Sequence, residues 1–152
     1  MNLELKIPPP VQLIICASLM FALSYYLPQL YFSRVISNAV IVILIVLASL
    51  LGALALYDFR KHQTTYHPHT PEKTSTVVNT GVYAYSRNPM YLSLVLILIA
   101  LALYLSNFSC FSVLLFFIWY NTRFQILPEE RVLAEIFPKE YPVYKETVRR
   151  WL

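Results

Sequence analysis

Residues 39–57 read AVIVILIVLASLLGALALY, an unbroken apolar run without a single charge. A helix rises 1.5 Å per residue, so this run makes about 28 Å of apolar rod, close to the roughly 30 Å hydrocarbon thickness of a bilayer. Three more charge-free blocks lie around it, at residues 11–27, 90–105 and 108–120. The last two are short for a span, which predicts extension by polar turns that face protein. Only Ser106 and Asn107 separate them, so they form a tight helical hairpin. The 152-residue chain is 58% hydrophobic and 13% charged, against roughly 25% charged in a soluble domain. A soluble protein of this composition would expose aggregating patches, and a bilayer removes that problem. The expected fold is all-α: a multi-pass integral membrane protein with four transmembrane helices and a C-terminal amphipathic cytoplasmic helix, forming one membrane domain over residues 1–152.

Charge sets the expected orientation. Eleven of the twelve Lys and Arg residues precede the first run, lie between the second and third, or follow the fourth; Arg34 is the exception. By the positive-inside rule both termini are cytoplasmic. The loop 58–88 and the tail 121–152 then face the cytosol together. The net charge of +4 reads as a topology signal and a contact with anionic lipid rather than with nucleic acid. Residues 1–10 carry Glu4 and Lys6 instead of a basic leader, so the first run is expected to stay as a span.

Several chemistries find no support. With glycine only at 52 and 81, no glycine-rich phosphate loop is possible. His62, His67 and His69 follow no zinc spacing and no cysteine joins them, so no metal is expected. Cys16 in the inner half of span one and Cys110 near the outer end of span four read as buried apolar residues too far apart in depth to bridge. In the tail, Pro128 followed by Glu129 and Glu130 signals a helix start whose acidic first turn complements the dipole. Val132, Leu133, Ile136 and Phe137 give that helix an apolar stripe, which predicts an element lying on the membrane surface. Tyr141-Pro142 is expected to interrupt it, with Trp151 anchoring a second interfacial turn.

The most informative polar stretch runs Thr80-Gly81-Val82-Tyr83-Ala84-Tyr85-Ser86-Arg87-Asn88-Pro89-Met90-Tyr91. Gly81 permits a tight turn, Pro89 suits a helix start, and the tyrosines place aromatic faces at headgroup level. An aromatic belt with a snorkelling arginine accounts for much of this pattern. Together with Glu129-Glu130 and Phe137-x-x-x-Tyr141-x-x-Tyr144 downstream, however, Gly81-x-Tyr83-x-x-x-Arg87-Asn88-Pro89-Met90-Tyr91 resembles the isoprenylcysteine carboxyl methyltransferase family, which is related to the phospholipid N-methyltransferases. The resemblance covers residues 58 onward.

It implies S-adenosylmethionine-dependent methyl transfer at the membrane surface to a hydrophobic or lipid-like acceptor. By position, Ser75, Thr76, Val77, Val78, Tyr83, Asn88, Pro89, Met90, Tyr91 and Glu130 would contact the cofactor, while Arg123 and Glu129 would line the reacting end. Three positions depart from the family pattern: Asn88 replaces a histidine, Ser93 a glycine, and Pro138 another glycine. Asparagine keeps hydrogen bonding but cannot become a cation. A carboxylate acceptor is ionised at neutral pH and needs no base, and Arg123 suits it as a bidentate partner. An amine acceptor must lose a proton, for which Glu129 or Glu130 is the candidate. Two other readings stand beside this one: an NADPH-dependent membrane reductase of the sterol-reductase type, and a non-catalytic membrane module.

Overall fold

The computed structural model describes residues 4–27, 34–61 and 76–152, with side chains from residue 38 onward in the second stretch. Ser75 and the three histidines lie outside the described residues. All the regular structure described is helical.

Helix α1, Pro9–Tyr26, opens with proline at its first turn, where a missing N–H costs nothing. Helix α2, Arg34–Lys61, is longer than its apolar run. It carries on past residue 57, so Asp58 and Phe59 belong to the last helical turn rather than to the loop expected from residue 58. Helix α3, Pro89–Leu105, begins at its proline and ends at Ser106, which takes the left-handed conformation at φ 49°. Asn107 makes the hairpin link. It is buried, its Oδ1 accepts from the Ser109 N–H at 2.9 Å, and its Nδ2 donates to the Leu27 carbonyl at 3.1 Å. One side chain thus closes the turn and fastens it to the end of α1.

Helix α4, Cys110–Asn121, passes through a π-helical turn at Thr122–Ile126 into α5, Leu127–Ile136. The three form one continuous helix, Cys110–Ile136. This corrects the expectation of a separate surface helix beginning at Pro128. The reason is local. A proline inside a helix withholds the N–H that the carbonyl four residues earlier requires, here Phe124. The π turn absorbs the mismatch, and the Phe124 carbonyl accepts from the Leu5 N–H at 2.9 Å instead. The Ile7 carbonyl takes the side-chain amides of Gln12 at 2.6 Å and Gln125 at 2.9 Å. The segment before α1 is therefore stitched onto the π turn. The chain breaks at Phe137, and α6, Glu140–Thr147, holds Tyr141-Pro142 in its first turn rather than being interrupted by it.

Helix α3 is the central element and packs against α1, α2 and α4. Cys16, Met20, Val95, Leu98, Ala102, Cys110, Val113 and Phe117 form the core where α1, α3 and α4 meet. Both cysteines are free and buried there. Cys110 Sγ lies 3.8 Å from the Met20 carbonyl, one turn from Cys16, so the two are nearer in depth than the topology suggested. On α2 a Cβ at Gly52 would sit 3.3 Å from Ser93 Oγ, which is why a small residue occupies that crossing.

The outward face of α2 is bare hydrocarbon: Val42, Ile43, Val46, Leu50 and Leu54 are all about half exposed or more. Among the described residues, three helices are long and apolar enough to cross a membrane, Pro9–Tyr26, Asn38–Lys61 and Cys110–Ile136, and Pro89–Leu105 is apolar but shorter. Helices this long and apolar, with hydrocarbon facing outward, make this a membrane protein.

Candidate active site

The site is built where the end of α2, the approach to α3 and the first turn of α5 converge. Gly81 opens a short 3-10 turn, Gly81–Ala84, at φ 61°. Asp58 on the last turn of α2 lies against Gly81, and its Oδ2 accepts from the Val82 N–H at 3.1 Å. A Cβ at residue 81 would run into that carboxylate, so glycine is required twice, by conformation and by contact. Tyr83 is then buried among Ala55, Val78 and Met90, with its ring edge-on to Phe59 at 5.1 Å. The Tyr144 hydroxyl donates to the Tyr83 carbonyl at 2.7 Å, tying α6 to the same turn.

Two adjacent glutamates open α5, and they have different partners. Residues one apart on a helix point about 100° away from each other. Glu129 faces α3, where the Tyr91 hydroxyl donates to its Oε1 at 2.6 Å. Its Oε2 accepts no hydrogen bond from the described residues. Glu130 points the other way and is buried. Arg150 grips it with a bidentate fork, Nε to Oε1 and NH2 to Oε2, both at 2.9 Å. Arg87 NH1 approaches Oε1 at 3.2 Å and Lys145 Nζ approaches Oε2 at 3.9 Å. One buried carboxylate thus serves three cations. This arrangement is expensive to desolvate and strongly destabilising to break.

Asn88, just before α3, is also buried. Its Nδ2 donates to the Arg150 carbonyl at 3.0 Å, and its backbone N–H donates to Ser86 Oγ at 3.2 Å. Pro89 is fully buried and Met90 packs on the Tyr83 cluster. Of the remaining predicted contacts, Val78 is buried in that cluster, Val77 is half-buried and Thr76 is exposed. Arg123 stands elsewhere: it is exposed, lies 3.5 Å from Glu4 and sits over the Phe124 ring at 5.6 Å. The Tyr91–Glu129 pair and Arg123 therefore occupy different sides of the Cys110–Ile136 helix. An apolar groove of about 100 Å³ between α1 and α4, lined by Ile7, Gln12, Phe117 and Tyr120 among others, shares no residue with the Tyr91–Glu129 cluster.

Sequence reading singled out neither Asp58 nor two of the cations around Glu130, Arg150 and Lys145. Arg87 was signalled by its place in the motif. Arg150 carried no signal, since a basic residue near the end of a basic tail reads as lipid contact.

Burial shapes the tyrosines beside these ions. Tyr141 is pushed up to about 12 by burial first and by the Glu130 carboxylate second, against the lowering pull of Arg87 and Arg150. Tyr144 is raised by burial and by Tyr141. Tyr83 is raised by burial, by Tyr144 and by Asp58. All three phenols are held neutral.

The sequence pattern of the family described as phospholipid methyltransferase matches residues 36–140, more than half of the chain and all but the first two residues of the elements from α2 to α5. The chain belongs to the phospholipid methyltransferase family. This family member is 36% identical over 77 residues to Protein-S-isoprenylcysteine O-methyltransferase of Saccharomyces cerevisiae, a stretch covering 51% of this chain and 32% of the yeast protein. It is also 48% identical over 63 residues, 41% of its length, to an uncharacterized protein of Haemophilus influenzae, which the match covers completely. The chain thus spans about a third of the named yeast relative. No solved structure matches it.

Proposed function

We propose that this protein is an S-adenosylmethionine-dependent methyltransferase that acts at the membrane surface on a hydrophobic or lipid-like acceptor. The observation that carries the reading is the Tyr91–Glu129 hydrogen bond. It ties the first turn of α3 to the first turn of α5 and leaves one glutamate oxygen without a donor among the described residues. The donor chemistry fits: S-adenosylmethionine is cationic at its sulfonium and ammonium groups, and a carboxylate whose second oxygen is available suits either. Bound there, the cofactor would supply an activated methyl group without need of a metal.

In this reading Tyr83, Asn88, Pro89, Met90 and Tyr91, with residues 75–78, form the cofactor side, and Glu129 holds the cationic end. Glu130 acts through the fold, because its two oxygens are committed to Arg87, Arg150 and Lys145. Arg123, paired with Glu4 on another side of the long helix, stands outside the reacting end in this reading; a carboxylate acceptor such as that of a prenylcysteine-like molecule needs no base. For an amine acceptor Glu129 is the nearest proton acceptor. Catalysis then consists of holding donor and acceptor in line, away from water. We further propose that Pro89–Leu105 crosses the bilayer with the three longer helices, and that the resulting four-span domain keeps both termini in the cytoplasm by the distribution of Lys and Arg.

The test is a thermal titration of the detergent-purified protein with S-adenosylmethionine and, separately, with NADPH. A ligand at 100 times its dissociation constant stabilises by about 2.7 kcal/mol. Stabilisation by S-adenosylmethionine alone, weakened in Glu129→Ala, is expected. Stabilisation by NADPH alone overturns the reading, and a response to neither points to a non-catalytic module.

A further inference from the structure

Residues 148–151 lie beyond the stretch that matches the family, yet they run through the middle of the site. The Arg149 carbonyl accepts from the Arg87 N–H at 3.0 Å. The Arg150 carbonyl accepts from Asn88 Nδ2 at 3.0 Å and more weakly from Ser86 Oγ at 3.5 Å. The Arg150 side chain meanwhile holds Glu130 by two bonds of 2.9 Å, and Trp151 packs against the core shared by α1, α3 and α4. One residue therefore bonds both halves of the site. Its backbone holds the segment that leads into Tyr91, and its guanidinium holds the neighbour of Glu129.

We infer that Arg150 is a positioning residue, setting the distance between the first turn of α3 and the first turn of α5 on which ligand binding by Tyr91 and Glu129 depends. The inference rests on the methyltransferase reading for the identity of the ligand, but the clamp itself is a matter of contacts. Three features make Arg150 more than one member of a salt-bridge cluster. Its fork is bidentate, which fixes angle as well as distance. Glu130 is buried, so water cannot replace the fork at little cost. The same residue's carbonyl is the acceptor for Asn88, so displacing its backbone releases residues 86–88 at the same moment as α5. Arg87 alone offers no equivalent: it approaches Glu130 from the α3 side and leaves α5 untied to the tail. Misplacement of reacting groups by about 1 Å can cost about 100-fold in rate, and binding through two groups on separate helices is sensitive in the same way.

The experiment uses the full chain in detergent, with Arg150→Ala and Arg150→Lys. S-adenosylmethionine affinity is measured by calorimetry well below each variant's unfolding temperature. Well below that temperature the folded fraction is close to one, so a reversible loss of stability leaves the dissociation constant unchanged and irreversible misfolding lowers only the stoichiometry. Lysine keeps the charge and loses the fork. The expected result is a dissociation constant raised about tenfold in Arg150→Ala and about threefold in Arg150→Lys, at unchanged stoichiometry. A purely structural role would lower the stoichiometry or the unfolding temperature and leave the constant alone; values within twofold of wild type in both variants overturn the inference. If the wild-type protein binds no S-adenosylmethionine, the functional reading fails instead. The clamp is then decided by amide exchange in Arg150→Lys: faster exchange at residues 86–92 and 129–133 supports it, and unchanged protection overturns it.

Discussion

The Tyr91 hydroxyl donates to Glu129 Oε1 at 2.6 Å across 38 residues of sequence, joining the first turns of α3 and α5. Tyr91 is itself buried. The carboxylate it serves, Glu129, is half-buried. Hydrogen bonds to charged groups contribute about 1.5–3 kcal/mol. Tyr91→Phe keeps the ring and removes only this bond. S-adenosylmethionine affinity, measured by calorimetry, is expected to fall by roughly tenfold or more, in proportion to that loss. Affinity equal to wild type would show that Glu129 needs no orienting donor.

Two glutamates that form ion pairs at the long helix, Glu130 within it and Glu4 from the segment before α1, should respond very differently to the same chemical change. Glu130 is buried with three cations around it, and Glu130→Gln strands those charges. A loss of about 3–5 kcal/mol is expected. Glu4 pairs with Arg123 and Arg131, whose side chains are 53% and 60% exposed, so Glu4→Gln should cost less than about 1 kcal/mol. Thermal unfolding of both variants in the same detergent checks the contrast. Equal losses would mean that the burial of Glu130 does not decide its energetics.

Gly81 carries a conformational demand and a contact demand. A side chain at φ 61° costs about 1–2 kcal/mol, and the Asp58 carboxylate occupies the space a Cβ would take. Gly81→Ala should lower the unfolding temperature clearly. Gly52→Ala, whose Cβ would meet Ser93 Oγ at 3.3 Å and Ser93 Cβ at 3.7 Å with no positive φ to strain, should lower it less. The reverse order would contradict the packing described for the 3-10 turn.

Tyr141, Tyr144 and Tyr83 predict an alkaline limit to stability. Each phenol is raised by burial in the folded protein, so each stays protonated where an unfolded tyrosine, near pH 10, has ionised. The native state then binds more protons than the unfolded state. Stability is complete below pH 10 and falls as pH rises toward 12, by up to about 1.4 kcal/mol per pH unit for each tyrosine. Denaturation followed with tyrosinate absorbance should show ionisation and unfolding together, and Tyr141→Phe should flatten the slope. Tyrosinate absorbance that appears near pH 10 in the folded wild type and is missing from Tyr83→Phe, Tyr141→Phe or Tyr144→Phe would refute it.

The parts that were legible in the sequence are those where one physical rule acts locally. Apolar runs found the helices; Pro89 marked the start of α3; the two-residue link at Ser106 and Asn107 gave the hairpin. The motif gave Tyr91 and Glu129, which the fold brings into contact. Pro128 misled, because a proline signals a helix start only when nothing compensates for the missing N–H. Here the compensation comes from a π turn and from Leu5, more than a hundred residues away in sequence. The division of labour between Glu129 and Glu130 was invisible for a similar reason. Adjacent and identical in type, they differ only in what the fold puts beside them, and Arg150 is supplied by a segment with no pattern of its own. Asp58 escaped notice because the end of α2 was set at the end of its apolar run.

The central claim is that the approach to α3 and the helix Cys110–Ile136 embrace one molecule of S-adenosylmethionine. Ultraviolet cross-linking with methyl-labelled S-adenosylmethionine, followed by peptide mapping, tests it most directly. Label is expected in peptides containing residues 83–91 and 122–130, competed by S-adenosylhomocysteine and not by NADPH. Label confined to one of these segments, or absent from both, would contradict it.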